Sequence, residues 1–285
     1  MITTYEQALH KLIKNALEED IGDGDHSTLS CISPDTKGKA VLKIKEDGIL
    51  AGVEVAEKIF RFMEPEVTFT AYKKDGDTMK FGEIAFEVEA KVYTILQCER
   101  LVLNCMQRMS GIASLTRKYV DKIKGCRTRV LDTRKTTPNF RLLEKEAVRI
   151  GGGLNHRMGL YDMIMLKDNH IDYSGGIEKA LDKAYNYVQQ KKPELKIEVE
   201  TRTLEDVKKV VASGKADRIM LDNFKPEQIT EALKIIDGKF ETEASGGINL
   251  DNVKAYAETG VDYVSIGAVI HHAVSADLSL KAMIV

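Results

Sequence analysis

Leu9, Leu12, Ile13, Ala16 and Leu17 recur at helical spacing, which predicts an amphipathic helix over residues 4–19. The acidic, glycine-rich turn EDIGDGDHST follows. Ala40, Leu42 and Ile44 then alternate with lysine, as on a half-buried strand. Residues 52–63 return to the helical period, and Val67, Phe69 and Ala71 alternate again. The strand-like FGEIAFEVEA leads into a long helical stretch from about 91 to 124, with Gly111 as the candidate break. Strands followed by helix give this half an α+β character.

From residue 127 the pattern changes. Six short apolar runs, TRVLDTR, DMIMLKD, KIEVET, RIMLDN, FETEAS and YVSIG, alternate with helical stretches at 140–150, 174–191, 203–212, 226–236 and 250–258. That rhythm predicts repeated β–α units and a parallel sheet. Each run starts apolar and ends on charge, hydroxyl or glycine. The ends are Asp132, Thr133 and Arg134; Lys167 and Asp168; Glu198 and Glu200; Asp222; Ser245, Gly246 and Gly247; Ser265 and Gly267. A strand buried on both faces should be apolar throughout, so polar C-terminal ends on six successive strands need a reason. β/α barrels build their sites from those ends, whereas a doubly wound sheet gathers its site at one switch point. The prediction is a β/α barrel, incomplete because six runs fall short of the usual ~8.

Composition narrows the function classes. The chain is 43% apolar and 30% charged, with a formal net charge of −2 and five prolines, which excludes a disordered or fibrous protein. Near-neutrality argues against nucleic-acid binding by bulk charge but leaves room for a local basic pocket. The first twenty residues carry polar groups every few positions, unlike a signal peptide. No apolar run approaches the ~18 residues that a membrane span needs. Cys31, Cys98, Cys105 and Cys126 form no C-x-x-C pair and read as free thiols, so the expected compartment is the cytoplasm.

The strand ends gather three kinds of chemistry. Arg134, Lys135, His156, Arg157 and Lys167 are cations suited to a ligand with several negative charges, with Arg141 and Arg149 on an intervening helix. Surface ion pairing is the plain alternative, above all for the last two. Glu200 and Asp222 suit Mg²⁺ or ribose hydroxyls, and alternation places Glu198 on the same face as Glu200. Charge balance for nearby cations is their alternative. Ser245-Gly246-Gly247 and Ser265-Ile266-Gly267 let backbone amides approach an anion, as the last loops of barrels often do. Gly151-Gly152-Gly153 is a further close approach or a helix cap.

Together, DTRKTTPNFRLLEKEAVRIGGGLNHRMGLYDMIMLKDNH, IEVE, IMLDNF, EASGGI and VSIGAVIHH resemble the quinolinate phosphoribosyltransferases, also called nicotinate-nucleotide pyrophosphorylases (carboxylating). EDIGDGDHST and QCERLVLNCMQRMSGIA extend the resemblance into the N-terminal half. It implies an N-terminal α/β sandwich over 1–111 and an open, incomplete TIM-like β/α barrel over 112–271, with the tail 272–285 packing on the first domain. It also implies an enzyme of de novo NAD biosynthesis that joins quinolinate and phosphoribosyl pyrophosphate to give nicotinate mononucleotide, pyrophosphate and CO₂. The cofactor implied is Mg²⁺, with no organic cofactor.

By matched motif, Arg134, His156, Arg157 and Lys167 would hold quinolinate, with Arg100 supplied by a neighbouring subunit of a homodimer or larger homo-oligomer. Lys135 and Lys167 would serve the pyrophosphate and the reacting centre. Glu200 and Asp222 would face ribose hydroxyls and Mg²⁺, with Glu198 the alternative to Glu200. Ser245, Gly246, Gly247, Gly267 and His271 would take the 5-phosphate, beside Ser265. Rival readings are a related protein of molybdenum transport, a Schiff-base aldolase using Lys167 or Lys135, and a non-catalytic anion binder.

Overall fold

In chain order the strands are β1 (Lys37–Ile44), β2 (Gly48–Ile49), β3 (Thr68–Ala71), β4 (Thr78–Met79), β5 (Ile84–Lys91), β6 (Arg129–Leu131), β7 (Ile164–Leu166), β8 (Ile197–Thr201), β9 (Arg218–Asp222), β10 (Glu241–Ser245), β11 (Tyr263–Ser265) and β12 (Leu278–Met283). They belong to a computed structural model that describes residues 4–283. The chain divides into two compact units. One comprises residues 1–117, 136–152 and 269–285; the other comprises 118–135 and 153–268.

The first unit holds a four-stranded sheet in the order β12-β1-β5-β3, antiparallel at every pairing. Ala40, Leu42 and Ile44 are buried as their alternation requires, and Phe60, Phe69 and Phe86 form a ring cluster beneath. The C-terminal strand β12 runs against β1 from Lys39↔Met283 to Ile44↔Leu278. Thr4 caps the first helix, Tyr5–Ile21, and Asp25 caps the short helix His26–Cys31, so EDIGDGDHST joins two helix ends.

The long helix Val92–Lys122 is continuous, against the expected break at Gly111. A Cβ at that position would lie 2.0 Å from the Val274 carbonyl oxygen. The glycine is therefore there for close packing by the C-terminal segment, not as a helix breaker. The helix expected over 174–191 is Ile177–Lys191, and an additional short helix, Asp168–Ser174, precedes it across Gly175 and Gly176.

The second unit is a six-stranded parallel sheet in the order β6-β11-β10-β9-β8-β7. Neighbours along the chain are neighbours in the sheet from β7 to β11, and β6 closes back on β11. That cyclic order belongs to a β/α barrel and not to a doubly wound sheet. The barrel stays open between β6 and β7, where an isolated bridge, Leu131↔Leu154, reaches the edge of β6. Among the described residues no helix is long and apolar enough to cross a membrane.

Candidate active site

Alternation along the barrel strands stacks polar residues in layers. Glu198 and Glu200 share one face of β8; Arg218, Met220 and Asp222 share one face of β9; Glu241, Glu243 and Ser245 share one face of β10. Register sets Arg218 beside both Glu198 and Glu241, and Asp222 beside Ser245. The inner face thus climbs from an ion-paired floor to a mouth formed by Glu200, Asp222 and Ser245.

At the mouth, Lys167 follows β7 and its Nζ stands 2.9 Å from Glu200 Oε2. Ser245 Oγ donates to Asp222 Oδ1, and Asn223 Nδ2 donates to Asp222 Oδ2 at 2.7 Å. Gly246 has φ +92°, and a Cβ there would meet Asn223 Oδ1 at 2.2 Å. Only glycine lets this turn fold onto Asn223, whose own amide donates to the Ser245 carbonyl at 2.8 Å. Gly247 is exposed beyond it, and Gly267 follows Ser265 at the end of β11. Ser265 helps to hold the Glu243 carboxyl in its charged form.

On the β6 side, Asp132 is fully buried and accepts from Asn155 Nδ2 at 2.7 Å and from the His156 amide at 2.8 Å. It thereby ties the Asn155–Arg157 segment to the end of β6. Arg134 is half-buried and Lys135 exposed. Arg157 Nη1 donates to the Met163 carbonyl at 3.3 Å. Burial, and then the Arg134 guanidinium, lower the proton affinity of Arg157. Two like charges are therefore close enough at the mouth to repel one another.

Below them lies a buried cluster. His156 Nε2 is 2.9 Å from Glu198 Oε2 and 3.3 Å from Glu243 Oε2. Both carboxylates are wholly buried. Arg218 Nη1 is 3.1 Å from Glu243, its Nη2 is 3.0 Å from Glu241, and its guanidinium lies over the Tyr263 ring. Burial alone would push the His156 ring down, but the two carboxylates reverse this and raise it to about 9. Burial and Glu243 push the Glu198 carboxyl up. Glu243 is held low although burial opposes it, by His156, Ser265 and Arg218.

The Arg157 amide lies 2.6 Å from His156 Nδ1. Three ligand-type atoms here lie within 4.8 Å of one another, a spacing a cation could use. Arg218 already supplies the cation.

The other expected site residues lie in the first unit. Arg100 is exposed on the helix Val92–Lys122, and His271 is exposed at the end of the helix Ala268–His271. Arg149 pairs with Glu146 on its own helix, Arg141 Nε donates to Thr136 Oγ1 at 2.9 Å, and Gly151 caps the helix Arg141–Ile150. Sequence reasoning did not single out Glu243, Arg218 or Asn223. The signal for the first two was the same alternation that paired Glu198 with Glu200.

Two family models match the chain: the N-terminal domain of quinolinate phosphoribosyl transferase over residues 25–110 and its C-terminal domain over 112–281. The chain is 43% identical over 293 residues to mitochondrial "quinolinate phosphoribosyltransferase [decarboxylating] 2b" of Nicotiana tabacum, covering 98% of this chain and 82% of that protein. It is 42% identical over 272 residues to the "probable nicotinate-nucleotide pyrophosphorylase [carboxylating]" of Bacillus subtilis, covering 95% and 92%. The crystal structure of NadC from Streptococcus pyogenes superposes with a TM-score of 0.89 at 41% identity, covering 96% of each chain.

Proposed function

This chain belongs to the quinolinate phosphoribosyltransferase family, and on that premise we propose that it transfers the phosphoribosyl group of phosphoribosyl pyrophosphate to quinolinate with loss of CO₂. The product is nicotinate mononucleotide, in NAD biosynthesis. The observation that carries the reading is the Arg134–Arg157 pair at the barrel mouth. Two guanidinium groups held close repel one another, and a ligand with two adjacent carboxylates relieves that repulsion. Quinolinate is such a ligand. Arg134, Arg157 and Lys167 line its side of the mouth, with His156 behind them.

The opposite side suits phosphoribosyl pyrophosphate. Ser245, Gly246 and Gly247 offer a hydroxyl and backbone amides to the 5-phosphate, with Ser265 and Gly267 on the next strand end. Glu200 and Asp222 are hard oxygen donors on neighbouring strands, a set that fits Mg²⁺ with its preference for one or two carboxylates plus substrate phosphates. Bound there, Mg²⁺ would neutralise charge developing on the departing pyrophosphate.

The reaction then asks for positioning and charge stabilisation more than for a general base. As the C1–pyrophosphate bond breaks, positive charge grows on the ribose and negative charge on the leaving group, which Lys135 and Lys167 face. The pyridine nitrogen attacks C1, and its ring becomes cationic. The carboxylate beside that nitrogen leaves as CO₂ because the ring accepts the electrons of the broken bond, and a proton replaces it. Binding both carboxylates aligns the nitrogen for attack.

The Schiff-base alternative needs a lysine free to attack a carbonyl, whereas Lys167 Nζ is paired with the Glu200 carboxylate at 2.9 Å. The enzyme assembles as a homodimer or larger homo-oligomer, with Arg100 donated to the neighbouring site. Four free thiols support a reducing compartment, the cytoplasm. The test is to assay CO₂ and nicotinate mononucleotide from quinolinate with phosphoribosyl pyrophosphate, set against nicotinate. Absence of CO₂ release would overturn the reading.

A further inference from the structure

Asn223 follows β9 directly and has φ +58°, in the left-handed region that glycine, asparagine and aspartate enter most readily. From that conformation its main-chain and side-chain amides reach different neighbours. The main-chain N–H donates to the Ser245 carbonyl at 2.8 Å, one step beyond the pairing of Asp222 with Ser245. The side-chain Nδ2 donates to Asp222 Oδ2 at 2.7 Å. Its Oδ1 lies against Gly246, where a Cβ would come within 2.2 Å of it.

Strand register fixes the main chain of Asp222 and Ser245, but it leaves two things open. One is the rotamer of the Asp222 carboxylate. The other is the bend at Gly246 and Gly247, whose φ values are +92° and +62°. The Asn223 side chain meets both, through Nδ2 and Oδ1. Ser245 Oγ donates to the other Asp222 oxygen, and Asn252 Nδ2 holds the far end of the turn through the Gly247 carbonyl at 3.0 Å.

The residue type follows from these demands. Glycine would adopt the backbone conformation but could not reach Asp222. Aspartate would adopt it with the same shape, yet it would set a second acceptor against the carboxylate and supply no donor. Asparagine meets both requirements. Its side chain is exposed, so packing in the core does not account for it.

We propose that Asn223 is a positioning residue that sets the distance between the Asp222 carboxylate and the Ser245–Gly247 turn, and so favours a ligand carrying hydroxyls and a phosphate at the spacing of ribose 5-phosphate. The proposal rests on the phosphoribosyl reading above, with Asp222 toward the ribose hydroxyls and the turn toward the 5-phosphate. A ligand held at two points gains from both only when they stand at the matching distance. An error of about 1 Å in such a geometry costs up to roughly a hundredfold.

The test is Asn223→Gly, which keeps the backbone conformation and removes the side-chain tether. Calorimetric titrations without Mg²⁺ compare ribose 5-phosphate, inorganic phosphate and quinolinate. Ribose 5-phosphate should bind roughly tenfold more weakly, the scale of one lost hydrogen bond to a charged group. Inorganic phosphate, which needs the turn alone, and quinolinate should keep their wild-type affinities. Unchanged ribose 5-phosphate affinity overturns the proposal. So does an equal loss for inorganic phosphate or quinolinate, the result that a merely structural role would produce.

Asn223→Asp keeps both the backbone conformation and the shape but not the donor, so it should lose at least as much affinity for ribose 5-phosphate. Wild-type affinity in that variant also overturns the proposal, and the same three titrations of it decide should Asn223→Gly not fold. Wild-type enzyme that binds neither ribose 5-phosphate nor phosphoribosyl pyrophosphate sinks the functional reading. Wild-type enzyme that binds both, beside an indifferent Asn223→Gly, sinks only the role of Asn223.

Discussion

Lys167 and Glu200, 33 residues apart in sequence, meet across neighbouring strand ends with Nζ 2.9 Å from Oε2. On the proposed reaction, this pair would stand beside the departing pyrophosphate, with the Lys167 ammonium engaged by a carboxylate. Lys167→Met should therefore lower kcat by roughly 10²–10³-fold, the range for removing one group that stabilises developing charge. Borohydride added with a carbonyl substrate should leave no trapped adduct on the wild-type chain. Steady-state rates and intact-mass measurement check the two halves, and a +substrate adduct at Lys167 would restore the aldolase reading.

Quinolinate should be converted and nicotinate should not. If Arg134 and Arg157 each take one carboxylate, as proposed, a ligand with one carboxylate forgoes a charge-assisted contact, at a cost of about 1–3 kcal/mol or more. Initial rates with each acid at equal phosphoribosyl pyrophosphate check this. Comparable rates would mean that the second cation serves something other than substrate choice.

The barrel was legible because its strands break the rule that buried strands stay apolar. Asp132, Lys167, Glu200, Asp222 and Ser245 all stand where their runs turn polar. The cluster under the mouth was harder to see. Arg218 follows Asp217 and Glu243 follows Thr242, as on any half-exposed strand, and nothing local says that their side chains point into a barrel. Only the pairing order, which sets Glu198 against Arg218 and Arg218 against Glu241, brings them together. Gly111 misled for a related reason: a glycine that breaks a helix and one that admits a neighbouring chain look alike until the Val274 carbonyl is placed.

The two sides of the mouth should fail independently. Arg157→Ala should weaken quinolinate binding and leave phosphoribosyl pyrophosphate binding largely intact. Ser245→Asp should do the reverse, by setting a second carboxylate beside Asp222 at the proposed phosphate side of the mouth. Each substitution should cost its own ligand roughly tenfold or more, about 1.4 kcal/mol. Titration calorimetry reads all four affinities, and equal losses for both ligands in both variants would contradict the division.

Thiol chemistry offers a check on the first unit. Cys98 and Cys105 are wholly buried, and burial pushes both thiols up to about 12, whereas Cys31 is exposed. Because the thiolate is the reacting form, a raised pKa slows alkylation. Iodoacetamide at pH 8 should modify Cys31 in the native protein and spare Cys98 and Cys105 until denaturant is added. Peptide mass spectrometry follows each site, and rapid labelling of Cys98 in the native state would mean that the helix Val92–Lys122 does not shield it.

Assembly is tested through Arg100. It is exposed on a helix whose Val102 and Leu103 are buried, so its side chain is available to another chain. If each site takes its Arg100 from the neighbouring subunit, Arg100→Ala and Lys167→Ala damage different halves of a shared site. Each variant alone should be nearly inactive, because every site lacks one of the two groups. Unfolding and refolding them together gives dimers of which about half are mixed, and each mixed dimer has one site lacking both groups and one site intact. Symmetry alone then predicts roughly a quarter of wild-type activity. Activity is compared with each variant refolded separately, after mass spectrometry has confirmed that mixed dimers formed. Recovery near that level requires two chains per site, whereas mixed dimers without recovery would mean that Arg100 serves its own chain or only the fold.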